Sequence, residues 1–322
     1  MKTRLLSSIA FVLILAVAFV LKFYVSNYFF DVIILLIGLI ASYEVSRLFS
    51  KMGRYNDKVM SMIFPCSLML VLLLGVANDA EIGIAYTFVI AVALLLICAL
   101  ITFVFPFITY RKTQTEIKAR KIANTNVAKY AFNKALNTTI IFIYPALLIG
   151  FLTLINHFED MTISFGGLAD KGGYIGLFVL LFTFLVPIFT DTFAYLMGGL
   201  FGGKKLVPSI SPNKTIAGAI GGFLWCILLS VATFFIFNAF PYMAELFAST
   251  GITVWKIAII SAVGAIVGQV GDLFESYLKR QAGVKDSGKI MPGHGGMLDR
   301  FDSHVFVAPI IFVAFCIIFA LL

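Results

Sequence analysis

Long apolar runs alternate along the chain with short segments that collect nearly all of the charge, and the runs are too long and continuous for strands or for amphipathic helices of a soluble core. A helix needs about 20 mostly apolar residues to cross ~30 Å of hydrocarbon. The pattern places nine such helices at Leu5 to Leu21, Phe29 to Val45, Met60 to Val76, Ile82 to Ile108, Thr139 to Ile155, Tyr174 to Leu200, Ile216 to Phe240, Val254 to Gly271 and His304 to Leu322. The expected fold is therefore an all-α polytopic membrane protein of about nine transmembrane helices. Lys2, Arg4 and the Ala16-Val17-Ala18 triplet give the first run the look of a cleaved leader, but Phe19-Val20-Leu21 continues it and favours a retained helix.

Composition and charge sharpen this picture. Of 322 residues, 61% are hydrophobic and only 12% charged, and the mean hydropathy is +1.03, which excludes a soluble globular enzyme. No loop is long enough for a separate soluble domain, so any chemistry must lie on short loops and helix ends. With nine spans, all of the 24 Lys and Arg except Lys22, Lys171 and Lys256 fall on the side of the N-terminus. The positive-inside rule makes that side the cytoplasm and puts the C-terminus outside. The net charge of +8 then describes a face that attracts anionic head groups and nucleotides, with no call for nucleic acid. The chain divides into residues 1–156, helices one to five with a basic loop at 110–138, and residues 174–322, helices six to nine with loops 201–215 and 276–303.

Some polar positions invite little. Cys66, Cys98, Cys226 and Cys316 stand singly in apolar runs and read as small buried hydrophobes. His157, beside Glu159 and Asp160, reads as a solvated loop residue, and Asp31 as an acid near a helix end that reaches water. Between residues 111 and 137, Ala119, Ile122, Ala123, Val127, Tyr130 and Ala131 recur at helical spacing against lysines and arginines. That predicts a basic amphipathic helix lying on the inner leaflet.

Two stretches differ in kind. In the first, Asp191 to Gly222, an aspartate sits within an otherwise uncharged helix, where it costs a few kcal/mol unless paired or hydrated. Asp191, Ala194, Tyr195 and Gly198 share one face, so another helix or a ligand can come close to the acid. Lys204, Lys205 and Ser211-Pro212-Asn213-Lys214-Thr215 follow, and free N–H groups at the start of the seventh helix beside Lys214 suit a phosphate. In the second stretch, Gly271 to Ser303, the spacing of Asp272, Glu275, Ser276 and Lys279 lines them up on one helix face. The following loop adds Arg280, Lys285, Asp286, Lys289, His294, Asp299, Arg300 and Asp302. Carboxylates that hold Mg²⁺ beside lysines and arginines suit a nucleoside triphosphate.

Ser276, Lys279-Arg280, Lys285-Asp286, Gly288, Pro292, His294-Gly295-Gly296 and Asp299-Arg300-Phe301-Asp302 together resemble the C-terminal signature of the phosphatidate cytidylyltransferases, the CDP-diacylglycerol synthases. Upstream, Asp191-Thr192, Ala194-Tyr195, Gly198, Phe201-Gly202, Ile210-Ser211-Pro212 and Lys214-Thr215 resemble a second block of that family. Ala217 stands where the family usually has a glutamate, and Met291 where it has an aliphatic residue or Phe. The resemblance implies transfer of CMP from CTP to phosphatidic acid, giving CDP-diacylglycerol and pyrophosphate for phospholipid biosynthesis, at the cytoplasmic side of the cell inner membrane. It implies Mg²⁺, with a second cation and a homodimer left open.

The residue roles follow from that reading. Asp272 and Asp299 are expected as metal ligands, supported by Asp191, Glu275 and Asp302. Lys214, Ser211, Ser276, Lys279 and Arg280 are expected to bind substrate, and Lys285, Arg300 and His294 to act on the phosphates. Another CTP-dependent lipid enzyme, such as a polyprenol or lipid kinase, and a transporter are the alternatives.

Overall fold

A computed structural model describes residues 13–14, 16–22, 24–77, 79–119, 126–158, 172–291 and 295–320. Among these, eight helices are long and apolar enough to cross a membrane, which makes the chain a multi-pass membrane protein. Most of the first expected span, Leu5 to Leu21, lies outside the described residues. In chain order the helices are α1 (Tyr28–Lys51), α2 (Lys58–Ala77), α3 (Asp79–Ile108), α4 (Tyr110–Ala119), α5 (Val127–Ile141) and α6 (Leu148–Asn156). There follow α7 (Gly172–Phe201), strands β1 (Lys205–Val207) and β2 (Ser211–Thr215), and α8 (Ile216–Asn238), α9 (Pro241–Ser249), α10 (Val254–Gln281) and α11 (Leu298–Ala320). A π-helical turn, Phe142–Leu147, joins α5 to α6 around Pro145, which lacks the N–H an α-turn would use.

The chain forms two compact units, Met1–Gly150 with Gln281–Leu298, and Phe151–Arg280 with Asp299–Leu322. In the first unit, polar contacts pin the α1–α2 connection onto α5. Asp57 accepts from the Val59 and Met60 amides, both at 3.1 Å, to cap α2, and its other oxygen meets Lys134 Nζ at 2.8 Å. Thr138 Oγ1 accepts from the Asp57 amide at 2.8 Å, and Asn137 Nδ2 donates to the Tyr55 carbonyl at 2.8 Å. Phe64 and Phe142 stack with centroids 4.5 Å apart. By contrast α3 turns most of its apolar side chains outward, Val89, Leu96 and Leu100 among them, as a helix bathed in lipid does.

A buried acid in α1 organises the other segment of this unit. Glu44 is 1% exposed, and its carboxylate accepts from Ser287 Oγ at 3.1 Å, the Met297 amide at 3.1 Å and the Leu298 amide at 2.8 Å.

In the second unit, close helix packing rests on glycine. A Cβ on Gly218 would lie 2.6 Å from the Ala194 carbonyl oxygen, and one on Gly222 would lie 2.5 Å from the Thr190 carbonyl oxygen. The small face expected on the Asp191 helix thus receives α8. Gly268 and Gly271 do the same for α11, and Gly264 for Val186 of α7: a Cβ on Gly271 would stand 2.8 Å from the Asp302 carbonyl oxygen. Phe158 meets Phe312, Phe315 and Phe319 with ring centroids 5.4 to 6.3 Å apart, filling the apolar end of the unit.

Several expectations need correction. Helix α10 runs on to Gln281, ten residues past the expected stop at Gly271, because the polar stripe that begins at Asp272 still has helical period. Helix α11 starts at Leu298, so Asp299, Arg300 and Asp302 occupy its first turns and are not in a loop. Residues 205–215 form an antiparallel hairpin with Lys205 opposite Thr215. The basic amphipathic segment is divided between α4 and α5, residues 120–125 lie outside the described residues, and Val127 and Tyr130 pack on Ile117 and Tyr55 instead of facing lipid. Asp31 and His157 are each 2% exposed, so neither is solvated.

Glycine packing makes a direct test. Gly222→Leu should wedge α7 from α8 and destabilise by about 1–3 kcal/mol, the usual range for overpacking. Thermal unfolding of the purified protein in detergent should show a lower midpoint for Gly222→Leu and a nearly unchanged one for Leu228→Ala, which trims an outward-facing residue of the same helix.

Candidate active site

The polar stripe of α10 is the base of the site. Asp272 forms an ion pair with Lys214, which β2 carries in from the hairpin, and Ser276 Oγ lies one helical turn on, 3.4 Å from Asp272 Oδ1. Lys214 reaches that position because Thr215 immediately ends the strand and caps α8, its hydroxyl accepting from the Gly218 amide at 3.0 Å. The Ile216 amide donates to the Lys204 carbonyl at 3.0 Å. Two of the N–H groups expected to face a phosphate at this helix start, those of Ile216 and Gly218, are therefore already engaged.

Asp191, from α7, belongs to the same cluster. Ser303 Oγ donates to Asp191 Oδ2 at 3.2 Å, while the Ser303 amide donates to Asp302 Oδ1 at 2.7 Å. One serine thus holds two acids from two helices. The carboxylates of Asp191, Asp272 and Asp302 repel one another, and Lys214 offsets part of that repulsion. Asp191, Lys214 and Asp272 face a cavity of about 710 Å³ whose wall also includes Tyr195, Asn213 and Gln269. Its lining is mainly apolar with a few convergent charges, the usual make-up of a small-molecule site.

A second acid group sits one turn along α10. Lys279 Nζ is 2.7 Å from Asp299 Oδ1 and also pairs with Glu275, whose side chain is fully buried. Among the described residues, neither Glu275 oxygen has a hydrogen-bond donor apart from that ion pair. Removing the lysine would leave an uncompensated buried charge, at a cost of about 3–5 kcal/mol. Arg280 Nε donates to the Ile210 carbonyl at 3.1 Å, so it steadies the turn of the hairpin.

The predicted residues therefore fall into separate sets. Asp191, Asp272, Asp302 and Lys214 come together, with Ser276 on the edge. Glu275, Lys279 and Asp299 form the neighbouring set, so Asp272 and Asp299 are each held by a different lysine. Ser211 opens β2 opposite Val207, and Arg300 is exposed on the first turn of α11. Lys285 is exposed on the Gln281–Leu298 segment, and His294 lies outside the described residues. Among the described residues, no three His, Cys, Asp or Glu side chains are arranged to hold one metal ion. A magnesium ion needs only one or two protein carboxylates when phosphate and water supply its other oxygens, and Asp272 and Asp191 on the cavity wall fit that requirement. Sequence reasoning missed Ser303 and Gln269. Gln269 donates to the Ala219 carbonyl at 3.1 Å, and its signal was a lone amide three residues before Asp272 at the end of an apolar run.

Known proteins bear on this arrangement. A stretch of 136 residues is 47% identical to a protein of Staphylococcus epidermidis named phosphatidate cytidylyltransferase, and the same named protein of Staphylococcus aureus matches equally well. The one from Staphylococcus saprophyticus is 46% identical. Each match covers 42% of this chain and 48% of the relative, so the chain spans about half the length of the curated relatives it matches. The match to the family described as cytidylyltransferases extends over residues 2–318, and the chain belongs to that cytidylyltransferase family.

Proposed function

We propose that this protein transfers CMP from CTP to phosphatidic acid, forming CDP-diacylglycerol and pyrophosphate at the cytoplasmic face of a bacterial inner membrane. The observation that carries the reading is the Lys214–Asp272 pair on the wall of a mainly apolar cavity, in a cytidylyltransferase-family chain whose staphylococcal relatives are named for that substrate. An apolar wall suits a substrate whose acyl chains stay in the bilayer, and the charges suit its phosphate. The concentration of lysine and arginine in alternate loops supports the cytoplasmic assignment.

In this mechanism an oxygen of the lipid phosphate attacks the α-phosphorus of CTP in line, and the bond to the pyrophosphate oxygen breaks. The nucleophile is already anionic, so the protein needs no strong base. Its task is to align two polyanions and balance their charge. Lys214 would neutralise a phosphate at the cavity. Asp272, with Asp191, would hold Mg²⁺, which supplies charge neutralisation at the phosphate oxygens. Ser303 orients Asp191 and Asp302, and the Glu275–Lys279–Asp299 set keeps the ends of α10 and α11 in register. Arg280 keeps the hairpin, and hence Lys214, in place.

Purified protein with CTP, phosphatidic acid and Mg²⁺ should release pyrophosphate and form a CMP-containing lipid. Phosphorylated lipid with CDP would instead identify a CTP-dependent lipid kinase, and no nucleotide consumption would end the enzyme reading. Asp272→Asn should lower turnover by about 10²-fold or more while the protein still inserts and unfolds normally. Full activity would remove Asp272 from the site. Arg280→Ala should raise the Michaelis constant for CTP several-fold with a smaller change in turnover, measured by initial rates. An unchanged enzyme would show that the hairpin needs no such tether.

A further inference from the structure

We infer that Glu44, far from the signature in sequence, is a positioning residue for the reaction: it fixes residues 287–288, close after Lys285, and residues 296–298, which lead directly into Asp299 and Arg300. The inference rests on the proposed transfer reaction. A carboxylate in an apolar helix is costly unless it finds donors, and Glu44 finds Ser287 Oγ and the Met297 and Leu298 amides among its partners. Two are backbone amides at the beginning of α11, which have no acceptor inside the helix and which a negative charge suits.

The socket is built to this side chain. A Cβ on Gly288 would overlap Glu44 Oε1 and stand 2.7 Å from its Cδ. One on Gly296 would collide with the same oxygen and with Ser287 Oγ, and would lie 2.6 Å from Cδ. Both glycines are buried and neither has the left-handed backbone that would by itself demand glycine. Their missing side chains are the space the carboxylate occupies. The function proposed above uses Asp299 and Asp302, which follow within a turn of Leu298, and the contacts of Glu44 with Ser287, Gly288, Gly296 and Leu298 fix the backbone just before them.

The test uses the full-length protein in lipid nanodiscs. Glu44→Gln keeps the side-chain size but turns an NH₂ toward amides that need an acceptor. Amide exchange at Met297 and Leu298 should become about tenfold faster or more, with slower exchange elsewhere in α11 unchanged. Turnover should fall about tenfold or more with the Michaelis constant for CTP little changed. Gly288→Ala should have the same two effects, and pairing it with Glu44→Asp, one methylene shorter, should restore part of both. Should Glu44→Gln not fold, Ser287→Ala removes a single donor and is expected to give a milder form of the same pattern. Unchanged exchange at these amides, or a loss of turnover that only follows the folded fraction, overturns the inference. A wild-type protein that releases no pyrophosphate would defeat the transfer reaction, while the exchange measurement would still decide what Glu44 does.

Discussion

A charge placed inside an apolar helix has no water to draw on and must be matched by groups of the protein. That constraint governs this molecule. Asp272 is matched by Lys214 from a strand, Asp191 by a serine from another helix, Asp299 and Glu275 by one lysine between them, and Glu44 by backbone amides. Apart from the Glu275–Lys279 pair, which lies within one helix, each match needs two elements to approach within hydrogen-bond distance. The placement of helices in each unit and the placement of acids are therefore one problem.

Glycine solves the geometric half of it. Gly218 and Gly222 let α8 lie against the backbone of α7, and the hairpin ahead of α8 can then deliver Lys214. Gly268 and Gly271 let α11 lie against α10, so Ser303 and Asp302 arrive beside the polar stripe. At Gly288 and Gly296 the same absence of a side chain admits a carboxylate. In hydrocarbon there is little hydrophobic gain from bringing helices together, and close van der Waals fit with a few strong polar contacts takes its place.

Much of this could be read from the chain. Apolar run length located the spans, and helical spacing placed Asp272, Glu275, Ser276 and Lys279 on a common face. The ends of α10 and α11 were misjudged because a run-length criterion stops at the first charges, whereas the helices continue with a polar stripe. The hairpin was not legible: strands of three and five residues carry too little alternation to stand out from a glycine- and lysine-rich turn. Glu44 passed unremarked because its partners begin 243 positions further on, a separation that no local pattern encodes. The lysine partners of Asp272 and Asp299 were equally hidden, since periodicity shows which residues share a face but not which opposing group each will find.

The outward-turned surface of α3 has a separate consequence. Its side chains answer to the bilayer more than to neighbouring helices, so the only chemical demand on many of its positions is solubility in oil. Leucine, isoleucine, valine and phenylalanine are near-synonyms on that outward face, and it can be adapted to a thicker or thinner membrane with few changes in its own packing.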